Sequence, residues 1–165
     1  MLFFDFAEFY RTICEFDRLL GLQLTVHEPG HIHYQLTVSE QHLSMPGACH
    51  GGVLAAMMDA VLGLTALSKV FPAGKLCQTV EFKINYLRSV TPGTQLEGAG
   101  KIEFSGNRLL VTSAEIYDLA DRRPVAKGMG TFSLYPLDKK AYLFKFLPQQ
   151  PDQEQPTTTD PYLAP

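Results

Sequence analysis

One stretch of this chain sets a single ionisable side chain inside a long apolar run. After His50-Gly51-Gly52, every residue as far as Ser68 is Gly, Ala, Val, Leu, Met, Ser or Thr, except Asp59. A carboxylate in such surroundings, with no Lys or Arg within a turn or two, must find a partner, raise its pKa or serve chemistry. Acids of this kind are candidate functional groups. The two glycines ahead of it supply a second element. At a helix start the first backbone N–H groups point outward unpaired and the dipole favours negative charge. Glycine leaves that approach open because it has no side chain. An acid able to act as general base or nucleophile, together with donors for a developing oxyanion, is equipment for attack on a carbonyl carbon.

These residues need elements to hold them. The run from about Gly51 to Lys69 reads as one long helix, apolar all round and therefore expected in a core, ended by Phe71-Pro72-Ala73-Gly74. Ahead of it, Phe6, Phe9, Tyr10, Ile13, Phe16 and Leu20 recur at helical spacing, and Gly21 follows as a stop. The pattern predicts one amphipathic N-terminal helix. Leu22–His27 and His31–Val38 flank Glu28-Pro29-Gly30 and predict a hairpin, and Ser39–Cys49 a loop. After the long helix, strands are predicted over Thr79–Val90, Gln95–Phe104, Arg108–Asp118 and Pro124–Tyr135. In the first of these, Val80, Phe82, Ile84 and Tyr86 alternate with Glu81, Lys83 and Asn85. An α+β fold follows, with a curved antiparallel sheet of about five or six strands wrapped around the single apolar helix. Residues 1–140 form the domain, and 141–165 a tail rich in Pro, Gln, Thr and Asp that cannot build its own core.

Composition closes off several classes. With 165 residues, 45% hydrophobic and 19% charged, the chain reads as one soluble domain. A formal net charge of -3 argues against nucleic acid as the main partner, although clustered cations could still hold a small polyanion. Three scattered cysteines, Cys14, Cys49 and Cys77, suit a reducing compartment and form no disulfide framework. The N-terminus has no basic segment ahead of its apolar residues, so it is not a signal peptide. Val53–Leu67 is too short for a bilayer and carries Asp59. A cytoplasmic protein with no membrane partner is expected. His27, His31 and His33 cluster without a carboxylate or cysteine at ligand spacing, so no metal is expected.

The chain resembles the hot-dog-fold acyl-CoA thioesterases of the phenylacetate-pathway type. The resemblance rests on His50-Gly51-Gly52 with an acid eight residues after Gly51, and on the strand Thr79-Val80-Glu81-Phe82-Lys83-Ile84-Asn85-Tyr86-Leu87-Arg88. It rests also on Gly106-Asn107-Arg108 and the last strand, Val125 to Phe132, and spans roughly residues 15–135. It implies a hot-dog fold and hydrolysis of an acyl-CoA thioester, with coenzyme A part of the substrate and no separate cofactor. Asp59 is then general base or nucleophile, and Gly51 the oxyanion donor. Eight helical residues span about 12 Å, too far for both to meet at one carbonyl within one chain. The resemblance resolves this with a homodimer, or a dimer of dimers, whose sites combine Gly51 of one subunit with Asp59 of the other.

The other candidates are graded by their residues. His50 either orients the loop or thioester, or makes a structural hydrogen bond at the helix start. Thr79 matches a position where the family places a small hydroxyl near the acid, although its alternation phase puts it with Glu81 and Lys83. Ser44 stands where the family often has Asn or Gln, and Gln41 or His42 are substitutes for it. Gly52, Arg88, Asn107 and Arg108 are expected to contact coenzyme A, with Arg122, Arg123 and Lys127 as additional rim cations. Cys49 and His50 are sequence neighbours and do not form a nucleophilic pair. The departure at Ser44 leaves open a non-catalytic acyl-CoA-binding protein. An acyl-carrier-protein thioesterase or a dehydratase of the same fold is the other alternative.

Overall fold

The computed structural model describes residues 3–139, and the expected tail lies outside them. Strands β1 (Gln23–Glu28), β2 (His31–Thr37), β5 (Lys75–Tyr86), β6 (Gln95–Ser105), β7 (Leu109–Asp118) and β8 (Pro124–Pro136) form one antiparallel sheet in the order β1-β2-β6-β7-β8-β5. Inside it lies α3 (Gly51–Val70). The architecture is the one expected from the resemblance.

The N-terminal segment differs from expectation. Two helices form, α1 (Phe3–Ile13) and α2 (Glu15–Leu20), because Cys14 leaves helical geometry at φ -90°, ψ 86°. Different anchors hold the two pieces. The Arg11 guanidinium donates to the Leu24 carbonyl, while the fully buried Tyr34 hydroxyl donates to Asp17 at 2.5 Å. Phe16 consequently points out, 56% exposed, whereas Phe6 and Phe9 enter the core. Gly21 does stop the helix, in the left-handed region at φ 72°.

The loop expected over 39–49 contains a short hairpin, β3 (Leu43–Met45) with β4 (Ala48–Cys49), turning at Pro46-Gly47. Its second strand leads directly into His50 and α3.

The sheet grips α3 through Leu54, Met57, Met58, Val61 and Leu62, all buried. Two glycines of β6 permit the approach. A Cβ on Gly98 would lie 2.5 Å from Val61 Cγ2, and one on Gly100 2.0 Å from Thr65 Oγ1. Thr112 on β7 adds a cross-tie, its hydroxyl donating to the Leu62 carbonyl at 3.1 Å. α3 and the short 3-10 turn after it cover 23 residues, within which an 18-residue window has mean hydropathy 1.6, enough by length and composition to cross a bilayer. Length therefore does not set this helix apart from a membrane span; the surrounding sheet, which buries one side of it, does.

One expectation for α3 needs correction. The sheet covers only part of its circumference, so Ala55, Ala56, Asp59, Ala60 and Gly63 are half-buried along one stripe. Among the described residues β5 is also an edge strand, paired to β8 alone, and its Val80 and Tyr86 are exposed.

Candidate active site

The start of α3 is organised by His50. It is the N-cap residue, with extended backbone, and its Nδ1 accepts the Gly52 N–H at 2.7 Å. The Val53 N–H goes to the His50 carbonyl at 3.0 Å. The Gly51 N–H donates to no group among the described residues, which makes it the available donor at this helix start. The two glycines thus separate in role. A Cβ on Gly52 would sit 2.8 Å from His50 Nδ1, so glycine there admits the capping ring. At Gly51 a Cβ would make only ordinary contact, 3.6 Å from the Tyr86 ring. Tyr86 also donates its hydroxyl to the Gly51 carbonyl at 3.1 Å.

Two turns further on, Asp59 lies on the half-buried stripe. Its Oδ1 accepts the Thr79 hydroxyl at 3.1 Å. Strict alternation along the strand places Thr79 with Glu81 and Lys83. A β-bulge overturns that phase: Thr79 pairs with Phe132 and Glu81 with Thr131, leaving Val80 as the extra residue. Thr79 therefore faces α3, while Val80 is 59% exposed. Cys77, two residues earlier, lies on the same face, its thiol directed to the Gly63 carbonyl at 3.8 Å. Burial, with the Asp59 charge adding to it, pushes that thiol up to about 12. Cys77 and Tyr86 are the residues at this site that sequence reasoning missed. Cys77 lies in no recognisable motif, Tyr86 stands in the strand that carries the resemblance without a role being assigned to it, and both depend on how β5 lies along the helix.

Ser44 is exposed on β3 and makes no hydrogen bond through its side chain among the described residues. His42 cannot take its place, being 3% exposed with both ring nitrogens engaged: Nδ1 accepts the Ser39 N–H at 3.0 Å and Nε2–H donates to the Leu20 carbonyl at 3.1 Å. Gln41 is exposed beside it.

The expected basic rim is mostly neutralised. Arg88 donates to both oxygens of Asp121, at 2.7 and 3.1 Å, and approaches Asp118 at 3.4 Å. Its hydrogen bonds hold the Asp121 carboxyl well below the usual carboxylate range. The geometry makes Arg88 a strut of the β7–β8 turn instead of a free phosphate contact. Arg122 reaches Glu97 at 3.4 Å and lies over the Tyr117 ring, Arg123 pairs with Asp121 at 2.8 Å, and Lys127 with Glu115 at 2.7 Å. Asn107 and Arg108 stand exposed in the β6–β7 turn, where Arg108 forms no ion pair among the described residues. The rings of His27, His31 and His33 do gather, with centroids 4.6–5.4 Å apart, yet no metal-binding group of three side chains exists among the described residues.

A cavity of about 380 Å³ opens beside the helix start, lined by Cys49, Gly51, Leu54, Tyr86, Leu87 and Val90 among others. Asp59 is not part of its wall. Within one chain the donor and the acid therefore remain two half-sites.

Comparison with known proteins bears on both halves. The family model described as the thioesterase superfamily matches residues 46–125, which include the start of α3, Asp59 and Thr79. The Mycobacterium tuberculosis protein Rv1847 is 31% identical over 115 residues, covering 68% of this chain and 81% of that one. Acyl-coenzyme A thioesterase 13 of Homo sapiens is 26% identical over 117 residues, covering 70% of this chain and 82% of that one. The fold is shared with the PaaI protein of E. coli, from the phenylacetic acid degradation operon. There the TM-score is 0.73 at 21% identity, over 79% of this chain and 91% of that one.

Proposed function

This chain belongs to the thioesterase superfamily and is a thioester hydrolase, and we propose that its substrate is an acyl-CoA, cleaved with Asp59 as the acid-base or nucleophilic group. The observation that carries the reading is the Thr79–Asp59 hydrogen bond on the uncovered stripe of α3. It fixes a carboxylate that pairs with no cation among the described residues, on a face open to substrate or to a second subunit. The acyl-CoA class is supported by the similarity to acyl-coenzyme A thioesterase 13.

In this reading the Gly51 N–H, which donates to no group among the described residues, is free to donate to the thioester oxygen as it becomes an oxyanion. Asp59 takes a proton from water as that water attacks the carbonyl carbon, or attacks directly. Collapse of the tetrahedral intermediate breaks the carbon–sulfur bond. After attack by water, the proton held by Asp59 passes to the departing thiolate, giving coenzyme A and the free acid. After direct attack, coenzyme A leaves first, and a water must then hydrolyse the Asp59 acyl anhydride to the free acid. Because about 12 Å of helix separates Gly51 from Asp59, the site forms between two subunits whose α3 stripes pack side by side. The small residues Ala56, Ala60 and Gly63 allow a close approach there, and the unpaired edge of β5 lies beside them. Arg108 and Asn107 are the proposed contacts to the nucleotide phosphates, since Arg88 is held by Asp118 and Asp121.

The test is thiol release from a panel of acyl-CoAs by the wild type and by Asp59→Asn. Turnover by the wild type and a loss of about 10²–10⁴-fold in the variant are expected, with circular dichroism unchanged. Wild-type turnover in Asp59→Asn would overturn the mechanism. A protein that binds acyl-CoA and never releases thiol would be the non-catalytic binder.

A further inference from the structure

We infer that Tyr86 is a positioning residue for this reaction, acting through the first peptide of α3; the inference rests on the function proposed above. The peptide joining Gly51 to Gly52 is held at both ends. Its carbonyl receives the Tyr86 hydroxyl at 3.1 Å, and its N–H is received by His50 Nδ1 at 2.7 Å. One peptide unit before it, the His50 carbonyl accepts the Val53 N–H at 3.0 Å, which fixes the plane that carries the Gly51 N–H. The donor assigned to the oxyanion is therefore the one amide at this helix start whose direction matters and whose own residue does least to set it.

Glycine explains why an external clamp is useful. Gly51 lacks the Cβ that would restrict its backbone torsions, so rotation about it would sweep the N–H away from its target. Electrostatic stabilisation of a transition state depends on donors that need no reorganisation as charge develops. The Tyr86 ring packs across Gly51, with Cζ 3.6 Å and the hydroxyl oxygen 3.7 Å from where a Cβ would be, so the ring walls one side and the hydroxyl fixes the carbonyl. A carbonyl oxygen has two lone pairs, so this bond is compatible with the ordinary helical one. β5 thereby touches both half-sites: Thr79 on Asp59, and Tyr86, its last residue, on Gly51.

The discriminating variant is Tyr86→Phe in the full-length protein, which keeps the ring and the cavity wall and removes only the hydroxyl. We expect kcat to fall about 3- to 10-fold, the worth of one ordinary neutral hydrogen bond, with KM changed less than about twofold because ground-state binding is untouched. His50→Ala acts on the same peptide, so the double variant should lose less than the product of the two single losses. The amide proton and nitrogen shifts of Gly51 should move in Tyr86→Phe, a readout of the clamp that does not depend on turnover. If the wild type hydrolyses acyl-CoA and Tyr86→Phe matches its kcat, this inference fails and the function stands. A loss confined to KM, or a fully multiplicative double variant, would equally overturn it. A wild type inactive on every acyl-CoA, with the Gly51 shift change present, would overturn the function while the clamp remains.

Discussion

Thr79 donates to one oxygen of Asp59, and the other oxygen, Oδ2, has no partner among the described residues. That leaves a carboxylate held in rotation with one face available, the condition a base or nucleophile requires. Thr79→Val keeps the β-branched shape and removes the donor. Turnover should drop about tenfold, from the range for a hydrogen bond to a charged group, and Thr79→Ser should restore most of it. Steady-state kinetics on one acyl-CoA decides the matter, and equal turnover in the Val variant would remove Thr79 from the mechanism. Asp59 and Gly51 were legible as residue types because a lone acid and a glycine pair are anomalies in an apolar helix. The partner of Asp59 was legible only through family resemblance. Alternation misassigned Thr79's face, because nothing in Thr79-Val80-Glu81 announces a bulge at Val80. The ion pairs of Arg88 were illegible for a different reason: an arginine in a sequence shows its charge and conceals its carboxylates, here Asp118 and Asp121.

The elements were legible where periodicity was long and unbroken. α3, the β1–β2 hairpin and strands β6 to β8 stand close to the predicted spans, whereas β5 begins at Lys75, four residues early, and the first helix breaks at Cys14. A break that rests on Tyr34 reaching Asp17 across the fold leaves no local mark. The contact between β6 and α3 supplies a stability prediction. Gly100→Ala would drive a methyl to 2.0 Å from Thr65 Oγ1, and this hydroxyl is itself tied to the Val61 carbonyl at 2.7 Å. Overpacking of this kind costs about 1–3 kcal/mol, measurable as a lower urea midpoint at unchanged m-value. No shift in midpoint would mean that the sheet yields there. The β7–β8 turn gives a second prediction. Asp121 is held below its ordinary range by Arg88, so it binds its proton less readily folded than unfolded. Its contribution to stability is therefore present above the unfolded value of about 3.9 and is lost as pH falls through the lower folded value. Asp121→Asn should be less stable than wild type at pH 7, with the gap narrowing only below about pH 4. Urea midpoints across pH 7 to 3 measure it, and a gap independent of pH would show that the charge is irrelevant to the turn.

For the molecule as a whole, the stripe on α3 and the free edge of β5 make one subunit half of a machine. Asp59→Asn and Gly51→Val should each be inactive alone. Mixed after denaturation and refolding, they should regain roughly a quarter of wild-type activity per chain, for statistical pairing in which half of the dimers are mixed and each has one intact site. Sedimentation of a fully active monomer would refute shared sites. The order of strands in the sheet has a further consequence during synthesis. β5 leaves the ribosome soon after α3, yet among the described residues its sole neighbour in the sheet is β8, the last of the strands there. Until residue 136 has emerged, β5 has no strand to lie against, and nothing holds Thr79 to Asp59 or Tyr86 to Gly51. Nascent chains stalled before β8 would carry every residue of the chemistry and none of its arrangement, and the long apolar helix would wait uncovered for its last strand, the interval in which such chains are most open to aggregation.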